Sequence, residues 1–147
     1  MIKLVLTSIF SFAALLCSAQ KQLLTYQDLQ SIIQTQPAAV ASFLQQKDYH
    51  FHPSSASNET RYLGIYADND YADIILKTNG KHNIVVVLTT HLEQVQVIQK
   101  SLEAYSFKNS KGGKIYRVKD AAISKVVFSE NEPQNNTNKI YTIELEN

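Results

Sequence analysis

His50-Phe51-His52 places two imidazoles on one side of an extended segment, a spacing at which both can ligate one divalent metal ion. A structural site of this kind takes about four ligands, so His82, His91 or the acidic run Asp68–Asp73 would have to supply the others. The competing reading is a pair of exposed loop histidines ahead of Pro53. Asp68-Asn69-Asp70-Tyr71-Ala72-Asp73 has spaced oxygen ligands but lacks the glycine and distal glutamate of a calcium loop. Asp and Asn also form turns for purely local reasons. No G-x-S-x-G nucleophile context is present. His91 falls in the first turn of an expected helix, where a cation is disfavoured, so it reads as neutral and structural. These residues assign no catalytic group, no metal set and no cofactor.

Surface recognition is the other chemistry on offer. Tyr62 and Tyr66 flank Gly64 in a strand-like run, and tyrosine supplies contact area with a polar tip. With Arg117 and Lys119 they are the candidate binding residues, provided that alternation places them on one uncovered sheet face. Tyrosine is also simply a good strand former. A one-residue slip in register would exchange the two faces.

The elements that must position these residues follow from periodicity. Ile84–Leu88 is a run of five aliphatic residues, four of them β-branched, which favours a strand covered on both faces. Leu92, Val95, Ile98, Leu102 and Tyr105 then recur every three or four positions, which predicts an amphipathic helix over Leu92–Tyr105. Thr90 and Glu93 have the form of its capping box. Leu24–Lys47 reads as a helical hairpin, capped at Thr25 and Asp28 and broken at Pro37. It carries too few bases for a DNA-reading helix-turn-helix. Further strands are expected at Arg61–Ala67, Tyr71–Thr78, Lys114–Lys119, Ile123–Ser129 and Ile140–Leu145. Asn79-Gly80 carries the signature of a type I′ hairpin turn.

The two halves, about 24–89 and 90–147, share this order. Val40 and Leu44 match Ile98 and Leu102. Tyr49 and Phe51 match Tyr105 and Phe107. Leu63 and Ile65 match Tyr116 and Val118, Ile74 and Ile75 match Val126 and Val127, and Ile84 and Val87 match Ile140 and Ile143. The expectation is an α+β domain: one six-stranded antiparallel sheet, helices packed on one face, and a two-fold internal duplication of helix–strand–strand–strand. The element order over Thr25–Leu145 resembles that of the β-lactamase-inhibitor-protein family, secreted bacterial proteins whose two repeats form a curved sheet that grips an enzyme. The resemblance rests on the hairpin helices before Arg61, the helix Leu92–Tyr105 and the paired strand sets. It implies a protein-binding sheet. Family members use disulfides, which this chain lacks, and no binding residue carries over.

Residues 1–19 have the parts of a secretory signal peptide: Lys3, an apolar run Leu4–Leu16, and Cys17-Ser18-Ala19 before an expected cleavage at Gln20. The form is bacterial, so the periplasm or the exterior is the expected compartment. The apolar run is shorter than the roughly 20 residues that span a bilayer. Acylation of Cys17 is the alternative, although Leu16 is a poor residue before a lipidation site. Cleavage would remove the single cysteine and leave residues 20–147 as one domain held by its core. Charge is nearly balanced, with 14 basic and 13 acidic residues, so neither nucleic-acid binding nor a polybasic membrane contact is expected. The functional expectation is an exported, non-enzymatic module that binds a protein or peptide through an open sheet face. The alternatives are a small hydrolase or isomerase working in the groove between sheet and helices, or a metal-binding accessory protein.

Overall fold

A computed structural model describes residues 23–118, 120, 122–131 and 138–147. The expected signal segment 1–19 and the candidate Lys119 lie outside the described residues. The first helix, α1 (Tyr26–Gln34), opens on the expected capping box: Thr25 accepts from the Asp28 amide, and Asp28 accepts from the Thr25 amide. Leu24 and Leu29, placed to staple the entry, are both fully buried. Pro37 starts α2 (Pro37–Gln46), where its missing amide hydrogen costs nothing.

Among the described residues eight strands follow, not six, and this corrects the expected sheet. They are β1 (His50–His52), β2 (Glu59–Ile65), β3 (Tyr71–Thr78), β4 (Asn83–Thr89), β5 (Phe107–Ser110), β6 (Gly113–Arg117), β7 (Lys125–Asn131) and β8 (Ile140–Glu146). One antiparallel sheet holds them in the order β1-β2-β3-β4-β8-β7-β6-β5. The two additional strands, β1 and β5, are short, exposed edges. Neither carries a hydrophobic alternation, because each has only one neighbour and little to bury.

The order is a palindrome of two four-stranded meanders joined at β4 and β8. Register repeats pair for pair. Phe51↔Tyr62, Tyr62↔Ile74 and Ile74↔Val87 in one half correspond to Phe107↔Tyr116, Tyr116↔Val126 and Val126↔Leu145 in the other. The repeating unit is therefore a helix followed by four strands. This register shifts two of the expected correspondences. Tyr62, not Leu63, matches Tyr116, and Val87 matches Leu145, not Ile143.

The third helix, α3 (Leu92–Ser101), is shorter than expected and gives way to turns through Tyr105. Its N-cap is His91, without a side-chain cap bond. The Thr90 hydroxyl accepts instead from the Tyr71 amide across the sheet end. Leu92 is half exposed, and Gln94 is buried in its place. The Asn79–His82 connection is also not type I′, since only Gly80 takes positive φ there. The Asn79 side chain closes it by accepting from the amides of Lys81 and His82. In the β5–β6 hairpin, Gly113 has φ +119, and a Cβ there would sit 1.8 Å from the Phe128 carbonyl oxygen. Only glycine fits that approach.

All three helices cover one face of the sheet. Ile32, Val40, Leu44, Ile98 and Leu102 join Ile74, Val87, Val126 and Ile143 in a single core. Helix α1 lies against β4 and α3, and α2 lies against β1. The opposite face carries no element among the described residues.

Candidate binding face

Register fixes which side chains the open face presents. Buried Tyr62, Ile74, Val87 and Ile143 face the helices, so their strand neighbours face away. One cross-strand row on the open face runs His52, Arg61, Ile75, Val86, Glu144, Val127, Ile115 and Lys108. A second runs His50, Leu63, Asp73, Leu88, Thr142 and Ser129. Ile65 pairs with Tyr71 beyond them.

The β1–β4 half of this face is an apolar concavity. His52, Arg61, Leu63, Ile65, Asn69, Tyr71, Asp73 and Leu88 line an open hollow of about 440 Å³. Ile65, a branched aliphatic at the end of β2, is 61% exposed. In the floor lies Asp73, only 4% exposed. The Arg61 guanidinium bridges to it, with Nε 3.5 Å from one carboxylate oxygen and an Nη on the other. That pairing pushes the Arg61 guanidinium above its ordinary value. A desolvated carboxylate is tolerable only with such a partner.

The β5–β8 half differs. Arg117 and Lys125 sit directly opposite one another on β6 and β7, and Lys108 lies on the neighbouring edge strand. Lys125 bonds to Glu146 and Lys77 lies 3.9 Å from Glu144. The Lys125 hydrogen bond holds the Glu146 carboxyl below the usual range. Arg117 and Lys108 have no ion-pair partner among the described residues, and both are exposed.

The sequence-selected residues are divided by this geometry. Arg117 is on the open face, as expected. Tyr62 is 6% exposed and faces the helices, with an edge-to-face contact from Phe51. Tyr66 also lies on the helix side. Its hydroxyl is 2.7 Å from that of Tyr49 and donates to Gln94 Oε1 at 3.3 Å. Burial raises the phenol pKa of all three tyrosines. The β2 faces are thus exchanged relative to the expectation: Tyr62 and Gly64 point in, while Leu63 and Ile65 point out. The tyrosine on the open face is Tyr71. The exposure of Leu63 and Ile65 was the missed signal, and nothing in an aliphatic alternation distinguishes it from a core stripe.

His50 and His52 share β1, while His82 and His91 lie on other parts of the chain. His50 is 3.0 Å from Asp48, and His82 Nδ1 is 2.6 Å from the Asn147 carbonyl oxygen. His91 stacks on Tyr66 at 4.2 Å between centroids and lies 3.4 Å from Asp70. Among the described residues, no group of three or more His, Cys, Asp or Glu side chains could hold a metal ion. His52 and Asp73 do share the open hollow, but Arg61 takes both carboxylate oxygens. Between sheet and helices, one cleft of about 240 Å³ beside α1 and α2 has no histidine or carboxylate in its lining. A second of about 540 Å³ beside α3 has Glu130 but no histidine.

No protein-family model, no curated protein and no solved structure matches this chain. Among the described residues, no helix is long and apolar enough to cross a membrane.

Proposed function

We propose that this is an exported bacterial protein, periplasmic or secreted, that binds a protein or peptide partner through its open sheet face and performs no catalysis. The observation that carries this reading is the uncovered β2–β4 surface. Leu63, Ile65, Tyr71 and Leu88 form an apolar hollow there, on the face that the three helices leave bare. Contiguous apolar surface rimmed by polar side chains is characteristic of interaction sites. The Arg61–Asp73 pair supports recognition over acid–base chemistry, because a carboxylate held by a guanidinium is a poor proton acceptor. The likeness in element order to secreted inhibitors that grip an enzyme with a curved sheet points the same way.

The test uses Leu63→Asp/Leu88→Asp, two half-buried positions outside the main core. Wild type and variant, first shown to unfold with the same midpoint, are immobilised and given periplasmic extract. Wild type should retain a saturable protein whose capture drops at least tenfold on the variant. Equal retention of every protein by both would end the reading.

A further inference from the structure

The two halves of the open face are matched position for position by the repeated register, yet their chemistry is opposite. Where the first half sets Leu63 against Asp73, the second sets Arg117 against Lys125. Where the first half has the His52–Arg61 pair, the second has Lys108–Ile115. Like charges directly opposed across antiparallel strands destabilise a sheet. Here two cations face each other with one anion, Glu146, to serve them, and Arg117 is left exposed. This is a feature that folding alone does not call for. Leu63 on β2 and Arg117 on β6 are five strand positions apart, about 24 Å across the sheet at ~4.8 Å per step, and their cross-strand rows lie four residues apart along the strands, about 14 Å more in that direction.

Resting on the open-face reading above, we infer that the partner is an acidic polypeptide segment with an apolar anchor. The anchor, an aromatic or branched aliphatic side chain, seats in the hollow formed by Leu63, Ile65, Tyr71 and Leu88. The carboxylates meet Arg117 and Lys108. An extended chain crossing the sheet diagonally covers the separation in about eight residues. Charge complementarity of this kind steers encounter and fixes orientation, so a segment lying the opposite way loses one of its two contacts.

The experiment pans a phage-displayed random dodecapeptide library on the purified protein, on Arg117→Glu/Lys108→Glu and on Leu63→Asp/Leu88→Asp. Wild type should select peptides rich in Asp and Glu that also hold an aromatic or branched aliphatic residue. The charge-reversed protein should lose the acidic bias and keep the apolar one. The best peptide, synthesised, should bind the charge-reversed protein at least tenfold more weakly. If wild type selects apolar peptides with no acidic excess, and these are lost on Leu63→Asp/Leu88→Asp, the acidic class is wrong and the open face stands. If nothing is enriched, or the enriched peptides bind both variants as they bind wild type, the inference and the open-face reading both fall.

Discussion

The first and second halves of this protein have the same strand order and similar inward-facing residues, but different outward-facing ones. Inward, Phe51, Tyr62 and Ile74 correspond to Phe107, Tyr116 and Val126. Outward, Leu63, Asp73 and Leu88 correspond to Arg117, Lys125 and Glu146. The buried members of this set, Tyr62/Tyr116 and Ile74/Val126, stay aromatic and branched aliphatic where packing demands it, while Phe51 and Phe107 are repeated on exposed edges. The open face is free of that demand, and it has diverged into an apolar end and a basic end. A second asymmetry lies on the covered face. Among the described residues helix α1 has no counterpart in the second half, and it ties the halves together. The Gln94 side chain accepts from the Leu24 amide at 2.8 Å and donates to the Leu24 carbonyl at 2.7 Å, joining the chain before α1 to α3. Asp120, in the β6–β7 connection, accepts from Tyr26, Gln30 and the amides of Ala122 and Ile123.

The strongest way to break the comparison is in the core. Leu44 in α2 and Leu102, the C-cap of α3, are matched positions, both fully buried. Leu44→Ala and Leu102→Ala should each cost about 2–5 kcal/mol. Thermal unfolding should remain one transition in both, because α1 makes the halves a single cooperative unit. Two separate transitions in either variant would show that the halves fold independently.

A smaller effect is expected at the α1 anchor. Burial raises the Asp120 carboxyl, but the amides of Ile123 and Ala122 and the side chains of Tyr26 and Gln30 outweigh it, and its pKa is lowered below 3.8. A depressed pKa contributes stability that is complete above the unfolded value and is lost as pH falls through the folded one. Wild type should therefore lose stability below about pH 4. Glu146, lowered by its Lys125 hydrogen bond, adds to the same acid-side loss. Asp120→Asn should cost about 1–3 kcal/mol at pH 7 and flatten the acid limb of the profile. Urea unfolding at pH 7 and pH 3 checks this, and an unchanged acid slope would remove Asp120 from the anchor.

The smallest effect sharpens the contrast between the faces. Arg117→Glu relieves the opposition to Lys125 and should raise stability by a few tenths to about 1 kcal/mol, while weakening partner binding. A stabilised protein that binds less well would mark the basic end as kept for recognition. A destabilised one would make Arg117 a structural residue.

Much of the covered side was legible in the residues. The Thr25–Asp28 capping box, the break at Pro37, the strand at Ile84–Leu88 and the stripe through Val95, Ile98 and Leu102 are strong local signals, and each appears in the fold, although that strand is covered by helices on one face only and Leu88 lies on the other. The edge strands were not legible, since His50–His52 and Phe107–Ser110 are exposed along their length. Their pairing comes from neighbours distant in sequence. The face of β2 was misread for a related reason. Tyr62 and Tyr66 are amphipathic enough to serve either face, and it is the hydroxyl partners Tyr49 and Gln94 that draw Tyr66 inward. The outward face of Arg117 is legible from alternation alone, because Tyr116 beside it is core. The hollow lined by Leu63, Ile65, Tyr71 and Leu88 could not be seen without knowing which face the helices cover.

The most direct measurement of the central claim is amide chemical-shift mapping of the labelled protein titrated with a peptide selected from the library. The account predicts the largest shifts along β2, β3 and β4 at Leu63, Ile65, Tyr71 and Leu88, with a second group at Arg117. Shifts confined to the helix-side clefts, with these strands unmoved, would contradict it.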